Sequence, residues 1–389
     1  MKGRIKMGMV GGVHEGSIGA VHYMAASLDG LIECVCGAFS SDPKKSNITG
    51  EKLFIESNRI YDTYEQMIEN EKRNNEPGRI DFISIVTPNY LHFPIAKLAL
   101  DSGFHVVCEK PMTMNVVEAK TLDDLSKDRN LLFATTHAYT GYPMVKEARV
   151  RVQEGCLGEI RKIIVRYQQG WLSTFVEESG HKQASWRMDP LKAGIAGSMA
   201  DIGTHASNLA EYITGLGIEE VCADLSTFVN GRKLDDDGSV LVRFERGAKG
   251  IIYASQVSTG EENALAINIY GTKAGLEWSQ QDPDTLVIKW PQKPSELVRK
   301  GTNYEFLSRT ARAACRMPSG HPEGVIEAFA NIYKNFALCL QDLSEGRKPV
   351  DEHRDFPTAY DGLRTMLFLE AIVESAKSNK KWVRLSSVG

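Results

Sequence analysis

The sequence has no apolar run of the roughly 18 residues that a membrane-spanning helix needs. Its first residues, Met1 to Lys6, lead into an apolar stretch without a small-residue cleavage site, so secretion is not expected. An excess of positive charge is also missing, because 46 Lys and Arg stand against 50 Asp and Glu, a formal net charge of −4. This balance gives no general attraction to nucleic acid. We therefore expect neither a membrane nor a nucleic acid as a partner.

Metal-binding and disulfide patterns are absent as well. The seven cysteines form no Cys-x-x-Cys pair, and no His and Cys residues have the spacing of a zinc site. Their odd number and their scatter through apolar stretches fit a reducing cytoplasm, and we predict no metal site. We find no internal repeat and no low-complexity segment. With 389 residues, 42% of them hydrophobic, the chain is long enough for two domains.

The first third of the chain alternates strand-like and helix-like segments. The predicted strands are apolar along their whole length and cover residues 5–10, 31–39, 81–87, 104–108 and 131–137. Such strands, separated by helices, predict a parallel sheet that is covered on both faces. We therefore predict an α/β fold whose N-terminal domain, residues 1–140, is a doubly wound Rossmann domain. Its ligand crevice would lie at the carboxyl ends of the strands.

The pattern changes in the remaining residues, 141–389. Helices are predicted over 143–154 and 198–214, and β-branched, alternating stretches cover residues 160–168, 221–229, 239–245, 250–256, 264–270 and 285–290. Turn residues such as Asp235-Asp236-Asp237-Gly238 separate these stretches. They predict an α+β domain with a mostly antiparallel open sheet. Because the alternation is incomplete, helices or another subunit should cover one face of this sheet.

A glycine-rich turn follows the first predicted strand. Such a turn places backbone N–H groups and a helix N-terminus against the pyrophosphate of a dinucleotide. The turn departs from G-x-G-x-x-G, since Val13 occupies the position of the second glycine. We predict cofactor contacts from Gly11, Gly12, Gly16, Ser17, Ile18 and Gly19. A purely structural turn is the alternative.

The end of the second strand bears on the choice of cofactor. An acidic residue there would bind the ribose hydroxyls of NAD, and an arginine would favour the phosphate of NADP. Ser40 occupies this position, and no arginine is nearby. We therefore expect NAD, with Ser40 at the cofactor, while NADP stays open as the alternative.

Two further motifs make the pattern specific. Glu109-Lys110-Pro111 directly follows a strand of the predicted crevice, and Asp201-Ile-Gly-Thr-His205 lies within a predicted helix. Together with the glycine-rich turn, they make nearly the whole chain resemble the Gfo/Idh/MocA oxidoreductase family, which includes glucose–fructose oxidoreductase and inositol dehydrogenase. In this family the lysine of the Glu-Lys-Pro motif lies near the nicotinamide, and the resemblance gives that role to Lys110.

The chemistry of these residues suits the oxidation of an alcohol. A proton must leave the hydroxyl as hydride leaves carbon, and histidine is the usual base near neutral pH. Asp201 and His205 are four residues apart and share one face of a helix, so Asp201 can orient the imidazole or bind a neighbouring hydroxyl. A fixed charge on Lys110 would stabilise the developing oxyanion. Taken singly, an exposed lysine and a local Asp–His hydrogen bond are the alternatives to this catalytic trio.

The resemblance also implies a set of binding residues. Thr87, Pro88, Asn89 and His92 resemble the loop at the nicotinamide ribose, and Glu109 and Lys110 adjoin it; His92 could instead only begin a helix. Besides Lys110, Asp201 and His205, we expect substrate contacts from His137, Tyr139, Trp171, Trp186 and Arg187. Packing in the core or at an interface is the alternative for the tryptophans.

The resemblance implies an NAD-dependent dehydrogenase that oxidises a secondary hydroxyl, at carbon 3 in several relatives, of a sugar, glycoside or cyclitol. The alternatives within this fold are a glycosidase that works by redox and elimination, and an NADPH-linked reductase of keto-sugars. A dinucleotide sensor without catalysis is a third, which the catalytic trio argues against. We expect a homo-oligomer, a dimer, tetramer or larger assembly, formed through the open sheet.

Overall fold

The computed structural model describes residues 3–13, 17–74, 78–179 and 189–386. Contacts divide the chain into two units. The first unit contains residues 1–113, 117–141 and 325–363, and the second contains residues 114–116, 142–324 and 364–389. None of the helices in the described part of the chain combines the length and the apolar character that crossing a bilayer requires.

The first unit is built on a five-stranded parallel sheet with the order β2-β1-β3-β4-β5. Its strands are β1 (Ile5–Val10), β2 (Ile32–Ala38), β3 (Phe82–Ile85), β4 (His105–Cys108) and β5 (Phe133–Thr135). The order reverses beside β1, so the chain ends of β1 and β3 flank the switch point where ligands bind in such folds. The predicted Rossmann sheet is confirmed.

Five helices follow or precede these strands in the expected alternation. They are α1 (Ile18–Leu28), α2 (Pro43–Lys52), α3 (Tyr64–Arg73), α4 (His92–Asp101) and α5 (Val116–Asp128). Side chains of Ser17, Asp42 and Thr63 accept backbone N–H groups at the starts of α1, α2 and α3. These caps explain why each helix begins where it does, since the first N–H groups of a helix have no partner within it.

The second unit is built on a nine-stranded sheet with the order β13-β12-β11-β10-β6-β9-β8-β7-β14. Its strands are β6 (Ile160–Gln168), β7 (Ile218–Ser226), β8 (Asp237–Phe244), β9 (Lys249–Ser255), β10 (Ala264–Gly271), β11 (Gly275–Ser279), β12 (Thr285–Lys289), β13 (Glu296–Arg299) and β14 (Val383–Arg384). Every pair is antiparallel except β6 with β9. The predicted antiparallel sheet is confirmed, although β11, β13 and β14 are additional strands.

Helices cover one face of this sheet. The helices of this part of the chain are α6 (Pro143–Gln153), α7 (Pro190–Ala193), α8 (Thr204–Thr214) and α9 (Arg309–Ala314). α6 and α8 pack on the face that carries the fully buried Val165 and Ile267. This packing explains why the predicted strands do not alternate strictly between apolar and polar residues.

Two long helices near the C-terminus complete the described chain. They are α10 (Val325–Ser344) and α11 (Ala359–Lys377). α10 packs against α1 and β1 of the first unit, where the Phe336 ring lies 5.2 Å from the Phe82 ring. The expected division after residue 140 coincides with one end of the first unit, but residues 325–363 return to that unit.

Candidate active site

The turn between β1 and α1 is a backbone cradle in the first unit. Gly11 has φ of +122°, and a Cβ there would lie 2.7 Å from the carbonyl oxygen of Val86. A Cβ on Gly19 would lie 2.1 Å from the carbonyl oxygen of Gly12. Only glycine fits at either position, so the turn and the start of α1 lie close together.

This cradle fits the pyrophosphate of a dinucleotide. Ser17 begins α1, and no acidic side chain occupies the first turn of that helix. Backbone N–H groups and the positive end of the helix dipole can therefore meet an anion. Gly11, Gly12, Ser17, Ile18 and Gly19 are the described residues that would hold it; the predicted contact of Gly16 lies outside the described residues.

The end of β2 lacks any arginine, as the sequence indicates. The Ser40 hydroxyl accepts the backbone N–H of Asp42 at 3.1 Å, and the Asp42 carboxylate in turn caps α2. The Asp42 carboxylate is therefore used as a helix cap, and the contact of Ser40 with the cofactor stays a prediction.

The loop after β3 is held by a buried histidine. The His92 ring is fully buried, with Nδ1 2.8 Å from the Pro111 carbonyl oxygen and Nε2 2.8 Å from the Thr87 carbonyl oxygen. Burial lowers the pKa of His92, and the two carbonyl contacts oppose that shift. Because both ring nitrogens face backbone carbonyls, His92 joins the loops after β3 and β4. The contact of His92 with the cofactor stays a prediction.

Neighbouring residues of that loop differ in exposure. Asn89 is buried, Thr87 is half-buried, and Pro88 precedes a short 3₁₀ turn that leads into α4. Their contacts with a cofactor remain predictions from the family resemblance.

Glu109 and Lys110 follow β4 at the same edge of the sheet. The Glu109 carboxylate is buried, and its Oε1 receives the His22 Nε2 at 2.9 Å and the Thr136 hydroxyl. Burial by itself would raise the pKa of Glu109. Interaction with His22, the Lys110 ammonium and the Thr136 hydroxyl outweigh burial and lower the pKa to about 2. Glu109 is therefore a buried carboxylate at neutral pH, immediately before Lys110.

The residues after β5 are more enclosed than the sequence suggests. His137 and Tyr139 are 1% and 7% exposed. Burial, followed by the nearby Lys110 ammonium, lowers the pKa of His137 to about 3, so its imidazole stays neutral. If His137 and Tyr139 contact the substrate as predicted, they can do so only through the few atoms that are still exposed.

In the second unit, Asp201 and His205 lie on one continuous helical segment. The predicted helix over 198–214 begins as a π-helical turn, Met199–Gly203, and continues as α8. Insertions of this kind are frequent at functional sites. Asp201 Oδ2 accepts the Gln256 side-chain amide at 2.9 Å, and the His205 ring lies 6.4 Å from the Tyr167 ring.

A network of amide side chains extends from Asp201 across the strand ends. Gln256 Nε2 donates both to Asp201 and to Gln169 Oε1, the latter at 3.1 Å. The Trp171 indole N–H donates to the same oxygen at 3.0 Å, and Gln169 Nε2 donates to Asn263 Oδ1 at 2.7 Å. Sequence patterns gave no signal for these amides, because Gln169 follows β6 whereas Gln256 and Asn263 lie in the distant connection between β9 and β10. Trp171 is thereby anchored beside Asp201, whereas Trp186 and Arg187 lie outside the described residues.

The start of this helical segment is fixed by Asp235, a residue of the predicted turn before β8. Asp235 is 7% exposed, and its carboxylate accepts the Gly197 and Met199 N–H groups at 2.7 and 2.8 Å and the Ser198 hydroxyl at 2.9 Å. Burial raises the pKa of Asp235, while these hydrogen bonds oppose the rise. Asp235 and Asp236 lie between β7 and β8, as the predicted turn requires, whereas Asp237 and Gly238 already belong to β8. The carboxylate of Asp235 is buried because N–H groups at the helix start need an acceptor.

Within residues 3–13, 17–74, 78–179 and 189–386, no group of three or more His, Cys, Asp or Glu could hold an ion.

Both units match one protein family. The GFO/IDH/MocA oxidoreductase family with an NAD-binding Rossmann fold matches residues 5–137, and the GFO/IDH/MocA C-terminal domain matches residues 145–277. Similar proteins align along most of the chain. The uncharacterized oxidoreductase YfiI of Bacillus subtilis is 29% identical over 382 residues, which cover 97% of this chain and 96% of that protein. Levoglucosan dehydrogenase of Pseudarthrobacter phenanthrenivorans is 27% identical over 333 residues, which cover 79% of this chain and 81% of that enzyme.

Solved structures of dehydrogenase homologues superpose on nearly the whole chain. An inositol dehydrogenase homologue from Azotobacter vinelandii in complex with NAD⁺ superposes with a TM-score of 0.91 at 32% identity, over 98% of this chain and 97% of that one. The same homologue in complex with NADH and myo-inositol superposes with a TM-score of 0.89 at 31% identity, over 98% and 97% of the two chains.

Proposed function

The chain belongs to the GFO/IDH/MocA family of NAD-dependent oxidoreductases, and from this premise we propose that it oxidises a secondary hydroxyl of a cyclic polyol. The substrate class is a sugar, glycoside or cyclitol, and we propose carbon 3 of a pyranose as the position oxidised. Bound NAD⁺ supplies the hydride acceptor. The β1–α1 turn and Ser40 would hold it, together with the loops after β3 and β4.

The amide network around Asp201 carries this proposal. Asp201 offers a carboxylate acceptor, His205 an imidazole, and Gln169, Gln256 and Asn263 offer amides that both donate and accept. A cyclic polyol presents several hydroxyls that each donate and accept, so its chemistry matches this set. Trp171 adds an aromatic ring, which suits the C–H face of a sugar. The myo-inositol complex of the Azotobacter homologue supports a ligand of the same class.

We assign three catalytic roles within the proposal. His205 takes the proton of the reacting hydroxyl, since a neutral imidazole is a suitable base near pH 7. Asp201, which Gln256 holds in place, orients a hydroxyl or the imidazole. Lys110 supplies a positive charge beside the oxygen as negative charge grows on it.

A substrate panel tests the proposal. The protein would be mixed with NAD⁺ or NADP⁺ and with sugars, glycosides, inositols and simple alcohols, and reduced nicotinamide would be followed by absorbance. We expect turnover with NAD⁺ and one or more cyclic polyols, and NMR of the product should place the ketone at carbon 3 of a pyranose substrate. Turnover only with acyclic or simple alcohols would contradict the polyol assignment. Release of aglycone without net reduced cofactor would instead identify a redox-elimination glycosidase.

A further inference from the structure

Two glutamine side chains in the second unit connect the Trp171 indole to the Asp201 carboxylate. The Trp171 indole N–H donates to Gln169 Oε1 at 3.0 Å, and Gln256 Nε2 donates to the same oxygen at 3.1 Å. Gln256 Nε2 also donates to Asp201 Oδ2 at 2.9 Å. Gln256 is fully buried, and the other three side chains are partly buried. We call Gln169 and Gln256 the amide bridge.

The two ends of the amide bridge fix the orientation of both amides. An indole N–H can only donate, so the atom of Gln169 that Trp171 contacts is the carbonyl oxygen. An ionised carboxylate can only accept, so the atom of Gln256 that contacts Asp201 is the amide nitrogen. The contact between the two amides then joins a nitrogen of Gln256 to an oxygen of Gln169, a donor to an acceptor. Each end therefore requires the same arrangement independently of the other.

The remaining contact of Gln169 agrees with this orientation. Its Nε2 donates to Asn263 Oδ1 at 2.7 Å, and the Tyr167 hydroxyl donates to the same oxygen at 2.7 Å. A reversed Gln169 amide would place its oxygen against the Asn263 oxygen and its nitrogen against two donors. Gln169 is therefore held in one orientation by three hydrogen bonds.

This arrangement has a cost at Gln256. Within the described part of the chain, its Oε1 is buried and accepts no hydrogen bond. A buried acceptor without a donor lowers stability and is uncommon in folded proteins. Reversing the Gln256 amide would be worse, because Oε1 would then face Asp201 Oδ2 and Gln169 Oε1, which are both acceptors. A polar side chain that is kept at a cost to stability points to a role other than folding.

We propose that Trp171 and Gln256 are positioning residues for Asp201. The indole N–H holds Gln169 Oε1, this oxygen holds the Gln256 amide, and Gln256 holds the Asp201 carboxylate. This polar role of Trp171 is separate from the contact of its ring with a sugar. The inference rests on the proposed function where kinetics are the readout, because that proposal gives Asp201 its catalytic role. The hydrogen bonds themselves can be observed without turnover.

The first test observes the Trp171 indole by NMR without cofactor or substrate. The protein would be labelled with ¹⁵N-tryptophan, and the Trp171 signal identified by its loss in Trp171→Phe. We expect this signal to shift in Gln169→Met, which removes the acceptor, and in Gln256→Met, which removes the second donor to the same oxygen. Asn268→Leu is the matched control, since Asn268 donates to Glu277 at 3.0 Å on the same sheet and should leave the signal in place. An indole signal that is the same in Gln169→Met as in the wild type would overturn the proposal.

The second test uses turnover of a polyol that the substrate panel identifies. In Gln256→Met we expect kcat/KM to fall by about 10–100-fold, the loss that follows from removing one hydrogen bond to a charged group. The urea midpoint should stay at the wild-type value, because the substitution also removes the buried oxygen that has no donor. A lower urea midpoint with nearly unchanged kcat/KM would show a purely structural role and would overturn the proposal.

A double-variant cycle tests whether the Trp171 N–H acts through Gln256. Trp171→Phe keeps an aromatic ring and removes the N–H. The loss in kcat/KM that it causes should be smaller in Gln256→Met than in the wild type, because the part that depends on the bridge is already gone. An equal loss in both backgrounds would overturn the proposal.

Two provisions keep these tests decisive. If Gln256→Met fails to fold, Gln169→Met replaces it in both kinetic tests, since Gln169 is only partly buried. If the wild type oxidises no polyol, the proposed function fails, while the indole signal of Trp171 still decides whether the amide bridge exists in solution.

Discussion

Buried titratable side chains in the first unit differ in whether neighbouring groups offset the effect of burial on their pKa. Glu109 is buried but ionised, because three neighbours stabilise its charge. His137 is equally buried, and both burial and the charge of the Lys110 ammonium lower its pKa, which the Glu109 carboxylate opposes. His105 is enclosed without a compensating charge, and burial lowers its pKa to about 4. The sign of each shift follows from the neighbours rather than from burial alone.

The charge of Lys110 should matter for chemistry more than for cofactor binding. In Lys110→Met we expect kcat to fall by about 10²–10³-fold, since a preorganised charge beside the developing oxyanion is lost. The Kd for NAD⁺, measured by protein fluorescence, should stay within severalfold. Near-native turnover in this variant would rule out the stabilising role.

The assignment of His205 as base predicts a change in the pH dependence. In His205→Asn we expect kcat to fall by about 10²–10⁴-fold and the alkaline plateau of the pH profile to disappear. If His205 and Lys110 act on one hydroxyl in one step, the double variant should lose less than the product of the two single losses. Fully multiplicative losses would show that the two side chains act in separate steps.

His105 should make the protein less stable in acid. Its Nδ1 accepts the Leu132 N–H at 2.8 Å, and its pKa is about 4 in the folded chain against about 6.5 when unfolded. The unfolded state therefore binds more protons between these values, so this contribution to stability is complete above pH 6.5 and is lost as pH falls toward 4. Urea unfolding should show that the wild type loses about 2 kcal/mol more than His105→Asn between pH 7 and pH 5. Equal losses in the two proteins would contradict the assignment.

At the scale of elements, the helical segment of Asp201 and His205 depends on the loop between β7 and β8. Asp235 caps its first N–H groups, and the neighbouring Asp236 accepts the Phe228 and Val229 N–H groups. Arg232, whose side chain is fully buried, joins Asp236 to Glu177 and to the Leu172 and Thr174 carbonyls. One loop thus fixes both the helix start and the segment that follows Trp171.

Removing the Asp235 cap should loosen this helix start. We expect Asp235→Ala to lower the free energy of unfolding by about 1–3 kcal/mol, because three buried donors lose their acceptor. The KM for the polyol should rise and kcat should fall, with the Kd for NAD⁺ unchanged. Asp282→Ala is a matched control, since that carboxylate is exposed in the turn between β11 and β12 of the same unit. Equal stability and kinetics in both variants would show that the cap does not position Asp201.

At the scale of the whole molecule, the face of the nine-stranded sheet opposite α6 and α8 carries an apolar row. Cys222, Leu241, Ile251 and Ile164 are register partners on four successive strands. Leu241 is 45% exposed, and the other three are partly exposed. An apolar surface of this kind favours contact with another subunit.

The homo-oligomer therefore remains a prediction with a specific test. We expect light scattering after gel filtration to give a multiple of the 43.1 kDa chain mass, and Leu241→Glu to shift the protein toward the monomer. Phe54→Glu is the control, because Phe54 is 95% exposed and belongs to the first unit rather than to the sheet. A wild-type monomer would contradict the prediction.

Local patterns in the sequence anticipate most regular elements. Continuous apolar runs identify β1 to β5, and alternation identifies β6 to β10 and β12, usually to within three residues. The sequence analysis does not anticipate the strands β11, β13 and β14 or the helices α2, α7, α9, α10 and α11. The return of α10 to the first unit could not follow from local periodicity, because it depends on packing between distant segments.

The sequence by itself determined the class of chemistry, an NAD-dependent oxidoreductase. The glycine-rich turn, Glu109-Lys110-Pro111 and Asp201-x-x-x-His205 are local motifs, so they can be recognised without the tertiary structure. Only the tertiary structure decided which side chains support them. His22 and Tyr333 are 311 positions apart, and Gln256 is 55 positions from Asp201, yet each pair is in contact. The physical reason is that a buried charge or amide must be paired, and folding supplies the partner from whichever segment packs beside it.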